Sequence, residues 1–195
     1  MRPDYQSYAA PANMPFNRSL VIRVCPTPLG QLTLAASKHG LAGAWFEDQQ
    51  HRPPALSGGG NAPWHSAPAH PVLREAAGQI DAYFSGVLKV FDLPLDLSAG
   101  TDFQRTVWLA LLALPRGQTC TYGELSARIG RPSAVRATGG AIGRNPLSVI
   151  VPCHRVIGQG GVLTGYAGGL ARKRALLQLE GALPSPSVQA LALLK

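Results

Sequence analysis

Val149-Ile150-Val151-Pro152-Cys153-His154-Arg155 is an apolar run that stops on a cysteine. It is far shorter than the roughly 20 apolar residues a membrane-spanning helix needs. It reads instead as the end of a buried strand, closed by Pro152. A thiol, an imidazole and a guanidinium then follow without a gap. An imidazole and a cation beside a cysteine favour the thiolate, the nucleophilic form of the side chain. The same residue type is also a common small buried hydrophobe. The surrounding sequence has to decide between the two.

Upstream, Phe103 to Leu114 is apolar on nearly every side, with Asp102 as its cap and Pro115-Arg116-Gly117 as its stop. A helix apolar all round belongs at the centre of its domain. Thr121 to Gly130 forms a short amphipathic helix, with Thr121 and Glu124 in capping-box spacing. After Gly130-Arg131-Pro132, Ser133 can cap a second helix, Ala134 to Gly143. Two short arginine-bearing helices around a glycine turn make a helix-turn-helix candidate. A helix that reads base edges needs several long polar side chains, and this one offers Arg136 among small residues. Small residues suit close helix packing. They equally suit a helix pressed into a narrow groove, gripping phosphates while Arg136 enters the duplex. Downstream, Gly158 to Gly169 is glycine-rich around Tyr166. Glycines let backbone approach a ligand closely, and an aromatic can wall a flat pocket. The loop lacks a lysine in Walker spacing and a strand–helix context, which excludes a phosphate cradle. A last helix, Leu170 to Leu179, precedes Glu180-Gly181.

The first half has a different texture. Residues 1–18 form a polar leader with no signal-peptide core. Leu20 to Val24, Gln31 to Ala35 and Leu41 to Phe46 are short apolar segments separated by turn residues, the pattern of an antiparallel meander. Residues 48–71 are rich in Pro, Gly, Ser and His and read as a flexible surface loop. Pro71 to Ser85 is helical in periodicity, Val90 to Leu97 alternates, and Ser98-Ala99-Gly100 is a linker. The expected organisation is α+β, with a domain over 19–97, a mostly helical domain over 98–182 and a tail from 183.

Hydrophobic content of 46% with 14% charged residues indicates a folded chain. Residues 1–100 are neutral, whereas 101–195 hold eleven basic side chains, nine of them arginine, against three acidic ones. Such an asymmetry points to a polyanionic partner for the second half, although it also fits plain solubility charge. Three cysteines (Cys25, Cys120, Cys153) make no disulfide framework, which favours a reduced, cytoplasmic setting. Cys25, His39, His51, His65 and His70 are scattered with no ligand spacing, and no metal is expected.

Pro152-Cys153-His154-Arg155-Val156, preceded by Gly143-Arg144-Asn145-Pro146 and by an alanine-flanked arginine in a small helix, resembles the O6-alkylguanine-DNA alkyltransferases, in particular their bacterial, non-inducible branch. The resemblance covers roughly Phe103 to Gly181. Residues 19–97 are only loosely similar to the family's variable, ribonuclease H-like amino-terminal domain. The resemblance implies direct-reversal DNA repair by a monomer, without metal or cofactor, on double-stranded DNA containing O6-alkylguanine. It implies Cys153 as alkyl acceptor, His154 as the base acting through a water, and Glu180 as the carboxylate behind the histidine. Asn145 would hold the turn and Tyr122 would donate a proton toward the leaving guanine. Arg136 would fill the gap left by the flipped nucleotide, with Thr121, Ser133, Ala137 and Arg144 also on the DNA face. Tyr122, Val156, Tyr166, Ala167 and Gly168 would form the base pocket. Ser148 stands where some relatives have a second proline, and Ala167 where some have serine, and both bear on pocket width.

Two other readings use the same residues. A helix-turn-helix regulator or lesion sensor without catalysis would explain the basic second half, but not the PCHR element. The lesion-binding relatives carry tryptophan where this chain has Cys153. A cysteine hydrolase using Cys153 and His154 would need an oxyanion hole and would turn over repeatedly.

Overall fold

The computed structural model describes residues 20–57 and 64–184. The leader, Gly58 to Gly60 and residues 185–195 of the tail lie outside these. The amino-terminal half is a meander of β1 (Val21–Thr27), β2 (Gly30–Ser37) and β3 (Gly40–Phe46), antiparallel throughout, with the short β4 (His65–Ser66) added parallel to β1. Helix α1 (Pro71–Phe84) opens on a proline and lays Leu73, Ala76, Ile80 and Tyr83 against the sheet. Proline suits a first helical turn because its missing N–H would have no partner there.

The outer edge of β3 does not face water. Leu41 N donates to Pro94 O (2.7 Å) and Asp96 N to Leu41 O (2.8 Å), so the alternating segment 93–97 runs beside the strand as a single bridge. Pro94 has no N–H to extend the ladder. Gly40 permits this approach, since a Cβ there would lie 2.4 Å from Pro94 O. Further along, Ala44 N donates to Pro146 O (2.8 Å) and Ser148 N to Ala44 O (2.9 Å). A strand edge left open is a pairing hazard, and here the chain that leads to Cys153 closes it. Every residue of β3 is buried as a result.

The second half comprises α2 (Asp102–Leu112), β5 (Cys120–Thr121), α3 (Tyr122–Arg128), α4 (Val135–Gly143), β6 (Val156–Ile157, parallel to β5) and α5 (Leu170–Leu179). Helix α2 is central, touching both α3 and α4 and the segment after Pro152. Three expectations need correction. Thr101, not Asp102, caps α2: its hydroxyl accepts from Gln104 N, and Gln104 returns the bond to Thr101 N. Asp102 instead pairs with Arg105 (2.6 Å) in the first turn. Ser133 does not cap α4, whose N-cap is Ala134 without a side-chain bond. Val149 to Val151 is not a strand end, because Val149 has a φ of 73° and the chain turns there. The capping box of Thr121 and Glu124 forms as expected. Among the described residues no helix is long and apolar enough to cross a membrane.

Trp108 of α2 is buried and its indole N–H donates to Ala141 O of α4 (2.9 Å), fixing α4 to the central helix. Gly100 lies against the same indole, where a Cβ would fall 2.3 Å from Cζ3. Gly100→Ala should therefore displace the ring and lower stability by about 1–3 kcal/mol. Urea unfolding followed by tryptophan fluorescence checks this; an unchanged midpoint would mean the ring can move freely.

Candidate active site

Cys153 opens a single 3-10 turn, Cys153–Arg155. Its backbone N donates to Val151 O (2.8 Å), and the residue is 4% exposed. The turn that presents it is clamped by Asn145. The Asn145 amide donates to Val151 O (2.9 Å) and to Cys153 Sγ (3.1 Å), while its oxygen accepts from Leu147 N (3.0 Å). A β-branched residue at positive φ is strained and persists only when its surroundings force it. Asn145 spans Val149 on both sides and supplies that force. Burial raises the Cys153 thiol, while the Asn145 amide and the Lys173 ammonium pull it back in part.

The two residues after Cys153 belong to a buried ionic cluster. His154 is fully buried, and its Nε2 lies 3.1 Å from Glu180 Oε1. Arg155 Nη2 donates to the same oxygen (2.7 Å), and Arg155 Nε to Oε2 (2.8 Å), a two-pronged grip that matches guanidinium to carboxylate. Tyr83 of α1 adds its hydroxyl to Oε1 (2.8 Å). Burial alone would raise the Glu180 carboxyl, but the His154 and Arg155 donors outweigh it and hold the group far below the usual range. Burial pushes the imidazole down, against the pull of Glu180, so His154 rests neutral. Its Nδ1 has no hydrogen-bond partner among the described residues. The sequence places Arg155 beside the thiol, but in the fold its guanidinium serves Glu180 and the Leu114 carbonyl (2.5 Å). The thiol is therefore protonated at rest, contrary to the expectation from adjacency.

Above Cys153 is a pocket of about 110 Å³, walled by Tyr122, Ile142, Gly139, Tyr166 and Ala167, with Gln50 at its edge. Tyr122 sits at the start of α3 and its hydroxyl reaches Thr164 O (3.3 Å) and Gly165 O (3.4 Å). Burial holds that phenol protonated. The Tyr166 hydroxyl lies near Ser148 without reaching hydrogen-bond geometry, and burial raises it strongly. Two expected pocket residues stand elsewhere. Val156 is fully buried beneath the site, paired with Cys120 across β5 and β6. Gly168 does not line the pocket, but a Cβ there would meet the Tyr166 ring at 2.8 Å, so it gives that ring its room. A larger apolar cavity of about 280 Å³ lies beyond Pro152 and Arg155, and Cys153 does not line it. Among the described residues no three His, Cys, Asp or Glu side chains gather as metal ligands.

Helix α4 buries Thr138, Ala141 and Ile142 and leaves Arg136 and Ala137 exposed, with Ser133 and Arg144 exposed at its two ends. Thr121 is half-buried, its hydroxyl committed to the cap. The glycines of α4 have a second use, since Gly139 packs against the Tyr122 ring.

The structure adds Tyr83, Gln49 and Lys173, which the sequence did not single out for the site, and moves Arg155 from the thiol to the Glu180 carboxylate. Tyr83 and Arg155 complete the Glu180 cluster. Gln49 accepts from Ser148 Oγ (2.7 Å) and steadies the turn. Lys173 is fully buried, donates to Thr164 O (2.5 Å) and Gly165 O (3.1 Å), and is pulled down to about 8 by loss of solvation. Arg155 alone carried a usable signal, being part of the quoted heptapeptide.

Comparison with known proteins agrees with this geometry. Residues 20–97 match the family described as 6-O-methylguanine DNA methyltransferase, ribonuclease-like domain, and residues 102–182 match its DNA binding domain. A protein of Mycobacterium bovis named methylated-DNA–protein-cysteine methyltransferase is 48% identical over 158 residues, covering 81% of this chain and 90% of that one. One of the same name from Haemophilus influenzae is 42% identical, covering 80% and 83%. The crystal structure of Mycobacterium tuberculosis OGT in complex with DNA superposes with a TM-score of 0.74 at 44% identity, covering 88% of this chain and 99% of that one. With both domains matched in order, and a buried Cys153 followed by a His154 bonded to Glu180, the chain belongs to the 6-O-methylguanine DNA methyltransferase family.

Proposed function

We propose that this protein repairs O6-alkylguanine in DNA by moving the alkyl group irreversibly to Cys153. The observation that carries the reading is a buried thiol lining a small aromatic-walled pocket, followed in the same turn by a buried histidine bonded to Glu180. An alkylated O6 lies inside the stacked duplex, so the nucleotide must rotate out to reach such a pocket. Arg136, exposed on α4 among small side chains, is placed to fill the vacated space while backbone groups and Arg144 grip phosphate.

The chemistry follows from the resting protonation states. His154 takes the thiol proton through a bridging water, using the ring nitrogen that has no partner among the described residues. Glu180 stabilises the imidazolium that forms. The sulfur attacks the alkyl carbon, a thioether bond forms, and the carbon–O6 bond breaks with its electron pair on guanine. Tyr122, kept protonated by burial, donates to the leaving base. The Lys173 ammonium favours the transient thiolate. No ordinary reductant reverses a thioether, so each molecule acts once. The protein works as a monomer in a reducing cytoplasm, where its three cysteines, all buried and free, remain thiols. A non-catalytic DNA binder would have no use for the buried His154–Glu180 pair, which disfavours that reading.

Three outcomes are expected. Incubation with O6-methylguanine duplex should add one methyl to the Cys153 peptide by mass spectrometry, and Cys153→Ser should lose this while retaining DNA affinity. A methyl on another residue, or repeated turnover, would overturn the proposal. Arg136→Ala should slow repair of duplex by about tenfold or more, the cost of unstacking no longer offset, yet leave reaction with a free alkylated base unchanged. Stopped-time assays on both substrates make the comparison. Glu180→Gln should slow transfer by about 100-fold and change the acid stability. Because the folded carboxyl titrates far below its ordinary 4.5, its contribution is complete above that pH and falls away on acidification. Thermal melts from pH 3 to 7 should show that slope in the native protein and not in the variant.

A further inference from the structure

We infer that Tyr83 is a positioning residue for the transfer reaction, through which the amino-terminal half sets how strongly Glu180 holds His154. The inference rests on the alkyl-transfer reading above. Tyr83 lies on α1, 97 residues from Glu180 in sequence, and is 1% exposed. Its ring is fixed by Phe91 at 5.2 Å, by Phe84 at 5.4 Å and by the Arg116 guanidinium 5.1 Å above its centroid. Arg116 in turn donates to Leu179 O (2.7 Å), the residue before Glu180. The hydroxyl therefore has a set direction, and it points at one carboxylate oxygen.

That oxygen is crowded. Glu180 Oε1 accepts from Arg155 Nη2 at 2.7 Å, from Tyr83 at 2.8 Å and from His154 Nε2 at 3.1 Å. The histidine contact is the longest of the three. A carboxylate oxygen offers about two lone-pair directions, so a third donor competes with the other two. Each hydrogen bond accepted from Tyr83 and Arg155 uses negative charge that would otherwise stabilise the imidazolium. Burial and the neighbouring carboxylate keep the phenol protonated, so it acts only as a donor. The other charged groups acting on the pair are the Arg155 guanidinium and the Lys173 ammonium, and the Arg116 guanidinium acts on the Tyr83 phenol. All of these remain when the Tyr83 hydroxyl is removed. What changes is the hold of Glu180 on His154, which tightens, and the imidazolium becomes more stable.

The sign of the effect follows. Transfer needs neutral His154 to accept the thiol proton, so the rate falls as acid protonates the ring. A more stable imidazolium forms at higher pH, and the acid limb moves up. Tyr83→Phe in the full-length chain keeps the ring and removes only the oxygen. Two measurements apply: the imidazole titration of isotope-labelled His154 by NMR, and the pH–rate profile with free O6-benzylguanine. Both should shift upward by roughly half to one pH unit, the size expected for losing one hydrogen bond to a charged group. Replacing Tyr83 with 3-fluorotyrosine, a stronger donor of nearly the same shape, should shift both downward; a packing role would not reverse sign in this way. A folded Tyr83→Phe protein whose titration and acid limb stay in place, or move down, overturns the inference, and so does fluorotyrosine without a downward shift. If the native chain takes no methyl group from O6-methylguanine duplex either, the alkyl-transfer reading fails instead, while the NMR titration still tests the hold of Tyr83 on the pair.

Discussion

The arrangement of the whole molecule depends on one buried carboxylate. A carboxylate removed from water is costly unless its lone pairs are met by donors. Glu180 meets this requirement with donors from two places, Tyr83 on α1 and the His154–Arg155 pair on the turn after Pro152, while Arg116, from the loop before β5, holds the neighbouring Leu179 carbonyl. None of these elements can move independently without leaving charge unpaired. The same bonds that stabilise the fold also fix the orientation of the imidazole that follows Cys153 in the turn.

A second constraint acts on the approach to that thiol. The chain between Asn145 and Cys153 is apolar enough for a strand, yet it forms turns, because Asn145 offers the backbone better partners than a ladder would. Its amide spans from Leu147 to Cys153, and the edge of β3 takes up Pro146 and Ser148. The result keeps the sulfur at the end of a stiff turn beneath the pocket. Loose packing there would let the thiol swing into the larger apolar cavity on the far side of Pro152.

Much of the fold could be read from local patterns. The meander, α1, α2 and α5 follow from periodicity and turn residues, and the Thr121–Glu124 box marks the start of α3 correctly. Cys153 and His154 were legible because neighbours in sequence stay neighbours in space. The errors share one cause, which is contact between distant segments. Proximity in sequence suggested that Arg155 helps the thiol, whereas a carboxylate 25 residues on claims it. An unbroken apolar run closed by proline suggested a strand end at Val149 to Val151, whereas the chain turns at Val149 under the hold of Asn145. Lys173 sits in Arg172-Lys173-Arg174, which looks like a solvated charge run, but the fold buries only the middle member. Tyr83 had no local signal at all, since its partner lies at the other end of the chain. The shift from Asp102 to Thr101 is smaller: either residue can cap, and the glutamine at 104 settles which one does.

The contacts across β3 carry an implication for how such proteins can be assembled from parts. Ser148 rests on Gln49, Ala44 is bonded on both sides of Leu147, and Gln50 N donates to Ala167 O (2.9 Å) at the pocket wall. The described part of the amino-terminal half is thus built into the surroundings of Cys153 rather than appended to them. Grafting another relative's amino-terminal half onto this second half would amount to re-engineering the nucleophile's surroundings, and residues 44, 49, 50 and 83 would have to travel with their counterparts.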